Sequence, residues 1–248
     1  MTGGSHVHVE MRGPETATPL LLLHGGGVGG WMWGPVRARL RAPWRMIVPD
    51  LPGHDRSAGS PYTSHEAVIA ELVALLERTG RPAVAAGFSL GAQLAVLLAS
   101  ERPDLVERVV AVSAQAVPAP ATGPTLALLS ATAGLARNPA FARAQARELF
   151  VPDALLPDYL RTSAAMSRAT LVAAVGANLR FRIPAGWSRF PGSARILVGE
   201  RERRLMHRSA AALHDALPSA VREEVPGCGH GIPLQRPDLL ARILDESD

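Results

Sequence analysis

The chain has 248 residues, a formal net charge of +4 and 47% hydrophobic residues, enough for one large or two small cored domains. All 26 of its basic residues are arginine. This excludes Schiff-base and pyridoxal chemistry, Ser-Lys dyads, and the lysine-dependent phosphoryl transfer of P-loop enzymes and kinases, because a guanidinium does not deprotonate. With 4% aromatic residues and only Arg201, Arg203, Arg204 and Arg208 grouped, interrupted by Glu202, nucleic-acid binding is not expected.

The segment from Met1 to Arg12 lacks the apolar run of a signal peptide, and the expected location is cytoplasmic. His6 to Met11 alternates weakly, as an edge strand does. Leu20-Leu21-Leu22-Leu23 then forms an apolar run that suits a strand buried on both faces, ending in His24 and three glycines. Trp33 to Leu40 predicts a helix and Met46-Ile47-Val48 a strand. Thr63 and Glu66 have capping-box spacing ahead of an apolar helical face of Val68, Ile69, Leu72, Val73 and Leu76. A strand over Pro82 to Gly87, a helix from Leu90 to Ser100 and a strand over Val109 to Val112 follow.

From residue 117 to 185 the pattern changes to alanine-rich helices: Thr125 to Ala136, Ala140 to Phe150, Ala154 to Met166 and Ala169 to Asn178. Such a block cannot extend a sheet and is expected to sit over it as an inserted lid. Alternation resumes with strands over Ala194 to Val198 and Val221 to Val225 and helices over His207 to Leu217 and Pro237 to Leu244. The expected organisation is a doubly covered α/β core in two parts, 1–116 and 186–248, around a helical cap, 117–185. No apolar stretch reaches membrane-spanning length without a charge or breaker. The lone Cys228 excludes a disulfide framework and CxxC zinc sites.

Gly87-Phe88-Ser89-Leu90-Gly91 lies between an apolar strand and a long helix. This is the setting of a nucleophile elbow, where a sharp turn lifts a serine hydroxyl clear of the backbone. A serine needs a base to become nucleophilic. Of eight histidines, His230 follows a strand, where open parallel sheets place their sites. His6 and His8 read as edge-strand surface residues, His65 and His214 as solvent-exposed helix residues, and His207 as a weaker alternative base. A carboxylate after Ile196-Leu197-Val198 would orient the imidazole, and both Glu200 and Glu202 fall there.

His24-Gly25-Gly26-Gly27, Asp50 to Ser57, Gly87 to Gly91, Gly199 to Glu202 and Gly229-His230, in this order, resemble the α/β-hydrolase superfamily across nearly the whole chain. The resemblance implies a mostly parallel α/β-hydrolase sheet with an all-helical cap, Ser89 as nucleophile and His230 as general base. Its acid is Glu202, where aspartate is commoner; Glu200 is the runner-up and Asp153 or Asp158 are remote. The oxyanion hole it implies is formed by the amides of Gly26 and Leu90. Gly27, Trp31 and Phe88 are weaker candidates for substrate contact. Asp55 stands where the family usually has glycine and is expected to shape the rim. His24 is expected to brace the glycine loop, Cys228 to be inert, and the lid arginines to form a solvated face.

The expected activity is cofactor-independent and metal-free serine hydrolysis of an ester, thioester or lactone. The expected partner is a small-molecule substrate, mainly apolar. Rival readings on the same scaffold are carbon–carbon bond hydrolysis or lyase, cyclase or epimerase chemistry, and a hydrolase-like receptor with a slow triad. Substrate identity and oligomeric state are not legible in the sequence.

Overall fold

The computed structural model describes residues 7–134 and 138–246. His6, Ala136 and Arg137, which belong to predicted segments, lie outside them. The apolar runs become the centre of a seven-stranded sheet of order β1-β3-β2-β4-β5-β6-β7. Strands β2 (Pro19–Leu23), β3 (Arg45–Pro49), β4 (Ala83–Phe88), β5 (Val106–Val112), β6 (Ser193–Gly199) and β7 (Val221–Val225) run parallel. Among the described strands only β1 (Val9–Arg12), at the edge beside β3, is antiparallel. Every residue of β2 and β4 is buried, as strands covered on both faces require.

Two apolar layers result. Leu21, Leu23 and Ala85 pack with α2 (His65–Glu77) and α3 (Leu90–Glu101) on one face. Leu20, Leu22 and Ala86 pack on the other with the short α1 (Gly34–Arg37) and α10 (Pro237–Asp245). The helix expected over Trp33 to Leu40 is a 3-10 turn, Gly30–Trp33, followed by the single turn α1. Pro35 at the front of α1 fits a helix start, where its missing amide hydrogen is not needed. Capping of α2 also shifts by one residue. Ser64, not Thr63, is the N-cap, and its hydroxyl accepts from the Ala67 amide.

Between β5 and β6 lie four helices, α4 (Thr122–Thr132), α5 (Pro139–Glu148), α6 (Leu156–Ala165) and α7 (Arg168–Arg180), with no strand among the described residues. Helix α8 (Arg204–Ala216) follows β6, and a short α9 (Ile232–Gln235), not evident from periodicity, follows β7. All six parallel strands deliver their carboxyl ends to one side of the sheet, and the four-helix block covers that side.

Candidate active site

The turn after β4 carries a strained residue. Ser89 has φ 53° and ψ −110°, a conformation that non-glycine residues rarely adopt. The flanking glycines make the turn possible. A Cβ at Gly87 would lie 2.1 Å from the Gly91 carbonyl oxygen, and one at Gly91 would lie 2.2 Å from that of Leu23. The chain passes directly from this turn into α3, so the Leu90 amide sits at a helix N-terminus without an intrahelical acceptor.

Ser89 Oγ lies 3.1 Å from His230 Nε2, and His230 Nδ1 lies 2.9 Å from Glu202 Oε2. A carboxylate only accepts, so Nδ1 carries the proton and Nε2 offers its lone pair to the serine hydroxyl. The Glu202 side chain is 1% exposed. Burial works to raise its pKa, but the His230 contact, the Gly199 amide and the Ser113 hydroxyl together hold it below the usual carboxylate range. Ser113 Oγ donates to Glu202 Oε1 at 2.6 Å and the Gly199 amide donates to the same oxygen at 3.0 Å. Ser113 directly follows β5 with φ 54°. It was not among the sequence candidates; the available signal was a hydroxyl standing just past a wholly apolar strand end.

The other candidates are placed elsewhere. Glu200 turns away to accept from the Gly227 amide at 2.6 Å. His207 faces Glu224 at 3.3 Å, and Asp158 pairs with Arg161. His65, expected on a solvated face, is buried: Tyr62 approaches its Nδ1 at 2.8 Å and Gln93 Oε1 its Nε2 at 2.9 Å. Gln93 Oε1 only accepts, so Nε2 carries the proton and the Tyr62 hydroxyl donates to Nδ1. The same Gln93 donates to the carbonyl of Asn178 on α7, at 3.1 Å, which ties the helical block to α3. The Cys228 thiol is buried, and burial pushes its pKa up, away from reactivity.

His24 braces the glycine loop. Its Nε2 accepts from the Leu51 amide at 2.8 Å, so Nδ1 donates to the Gly25 carbonyl at 2.7 Å. Gly26, Gly27, Ser89 and Leu90 then line a cavity of about 440 Å³, whose opposite wall includes Leu129, Leu149, Met166, Leu171 and Val175 of the helical block. Trp31 and Phe88 are not among its lining residues. Phe88 is buried, its ring centroid 5.0 Å from that of His230. Trp31 donates through Nε1 to the Thr162 hydroxyl at 3.0 Å and meets Tyr159 edge-on. Met32, next to Trp31 in the chain, is fully buried.

Asp55, with φ 41° and a 3% exposed side chain, accepts a forked contact from Arg161 of α6 at 3.0 to 3.2 Å. One lid arginine, 54% exposed as a solvated face allows, therefore also fastens the block to the loop after β3. The histidine before it, His54, is fully buried, and burial drops its pKa to about 3, so it stays neutral. Among the described residues no group of three His, Cys, Asp or Glu side chains is placed to hold a metal ion, and no helix is long and apolar enough to cross a membrane.

A strained serine after a parallel strand, a histidine after the last strand and a buried carboxylate between them in sequence define the arrangement of an α/β hydrolase. The chain belongs to the alpha/beta hydrolase family, whose model matches residues 20–243. Among curated proteins it is 34% identical over 113 residues to the pimeloyl-[acyl-carrier protein] methyl ester esterase of Vibrio vulnificus strain YJ016. That match covers 46% of this chain and 42% of the relative. It is 35% identical over 106 residues to lipase LipV of Mycobacterium tuberculosis, over 42% of this chain and 40% of that one. The chain thus spans less than half the length of these relatives. The enol-lactonase of Burkholderia xenovorans LB400 shares the fold with a TM-score of 0.82 at 20% identity, covering 98% of this chain and 96% of that one.

Proposed function

We propose that the protein is a serine esterase acting on a small to medium, mainly apolar ester through an acyl-enzyme. The observation that carries this reading is the relay from buried Glu202 through His230 to Ser89, at 2.9 and 3.1 Å, opening on an apolar cavity. The helices over that cavity act as its cap. Ser89 Oγ attacks the ester carbonyl while His230 Nε2 takes its proton. The amides of Gly26 and Leu90 hold the oxyanion, each worth about 3 kcal/mol in the transition state. His230 then protonates the departing alkoxide, and water, deprotonated by the same nitrogen, releases the acid and restores the serine. Glu202 holds the imidazole in one tautomer and stabilises its charged form, and Ser113 holds Glu202. The names of the matched relatives, a methyl ester esterase and a lipase, agree with ester cleavage.

Turnover of p-nitrophenyl esters with acyl chains from acetyl to octanoyl tests this reading. The expected result is turnover by the wild type and a loss of about 10⁴-fold or more in Ser89→Ala. A folded wild type that cleaves none of the series, or a Ser89→Ala variant of undiminished activity, would overturn it.

A further inference from the structure

Charge is distributed unevenly over the helical block. Residues 117–185 hold seven arginines against three acids, and this excess of four equals the net charge of the whole chain. None of the six described arginines of the block lines the cavity. Arg161 is committed to Asp55 and Asp158, and Arg168 donates to the Ser130 hydroxyl at 2.6 and 2.9 Å. Arg180 and Arg182 border a separate groove beside Glu66, and Arg143 and Arg147 are exposed on α5.

The cavity wall is the reverse of this basic exterior. Its ionisable side chains are His54, Tyr159 and Glu148. His54 is held neutral by burial, and burial also raises the Tyr159 phenol, so neither contributes charge near neutrality. Glu148, at the last turn of α5 and exposed, is the one carboxylate among the described residues that line the space. With no lysine in the chain and no arginine among the described lining residues, an anionic acyl group entering here would lose hydration without gaining a counter-charge. It would also meet a like charge in Glu148.

On the reading of the site as an esterase, we infer that the cavity selects esters whose acyl portion carries no negative charge, and that Glu148 is a determinant of this selectivity. A neutral chain loses nothing at this wall and gains apolar contact with Leu129, Leu149 and Met166. A terminal carboxylate on the same chain is disfavoured twice, by desolvation inside and by repulsion from Glu148. The second contribution is the smaller, because Glu148 is exposed and its field is screened by salt.

Methyl hexanoate and monomethyl adipate have acyl chains of equal carbon number and differ in the terminal methyl or carboxylate group. Their kcat/KM values would be compared in the wild type, Glu148→Gln and Glu148→Arg, with binding to Ser89→Ala measured by calorimetry. The expected wild-type preference for the neutral ester is about tenfold or more, from the cost of burying an unpaired carboxylate. Glu148→Arg should shrink that ratio about fivefold at low salt, with Glu148→Gln between. Raising ionic strength should shrink the wild-type ratio even if Glu148→Arg folds poorly. Equal use of the two esters by the wild type, or a ratio indifferent to both Glu148 variants and salt, would overturn the inference. If neither ester is cleaved but the binding ratio behaves as stated, the esterase reading fails and the charge selectivity stands.

Discussion

The sheet layer and the helical block above it differ in how they are built. Strands β2 and β4 and most of α3 are buried, whereas α4 buries Leu126 alone and leaves Leu128 67% exposed. Ser89, Ser113, Glu202 and His230 all stand on loops at strand ends of the sheet, and none on the block. The block supplies a cavity wall and is fastened through a few polar contacts, at Arg161–Asp55, Thr162–Trp31 and Asn178–Gln93. Under the proposed function the sheet loops carry the chemistry and the block contributes one wall to substrate choice, and substitutions should sort accordingly.

The largest effect expected separates the two carboxylates that the sequence left as rivals. Glu202→Gln keeps size but cannot hold the imidazole in the required tautomer, and kcat should fall about 10³- to 10⁴-fold. Glu200→Gln should cost less than about threefold, since Glu200 only accepts from the Gly227 amide. Comparable losses in both, measured on one ester, would erase the distinction.

Acid should attack the core selectively. His24, His54 and His65 are buried there with lowered pKa values, and residues 117–185 contain no histidine. Below their ordinary pKa near 6.5 the unfolded chain binds protons that the folded chain refuses, so stability is full above that pH and falls as pH drops. For His54 the loss continues down to about pH 3. Each group contributes a slope of about 1.4 kcal/mol per pH unit within its window. Urea unfolding at pH 7.5, 6 and 5 should show this decline. A stability flat to pH 5 would mean that these imidazoles charge without penalty.

Smaller effects probe the supports. Ser113→Ala removes a donor from a buried carboxylate and should lower kcat about tenfold, with little change in KM. Arg161→Ala leaves Asp55 without its guanidinium and should cost about 1–2 kcal/mol of stability, with a rise in KM exceeding the fall in kcat. If instead kcat collapses while KM holds, the block is part of the reacting machinery and the division between the regions fails.

Much of this division was legible in the sequence, because each core element carries its own local pattern. Leu20 to Leu23 read as a doubly buried strand, Gly87 to Gly91 as an elbow, and the switch to strandless helices after residue 117 as an insertion. What was not legible depends on contacts across the chain. Asp55 and Arg161 are 106 residues apart, Trp31 and Thr162 131, and Ser113 and Glu202 89. No local periodicity encodes such pairs. His65 was misplaced for the same reason: its partner Gln93 lies on another helix, and a polar residue on an amphipathic face reads as solvated unless that partner is known.

Active-site labelling bears most directly on the proposed chemistry. Folded wild type would be incubated with a fluorophosphonate and digested, and the adduct located by mass spectrometry. The expected result is one phosphonyl group per chain on Ser89, absent in Ser89→Ala and formed far more slowly in His230→Ala and Glu202→Gln. An unlabelled folded wild type, or an adduct on another residue that persists in Ser89→Ala, would contradict the assignment of Ser89 as the nucleophile.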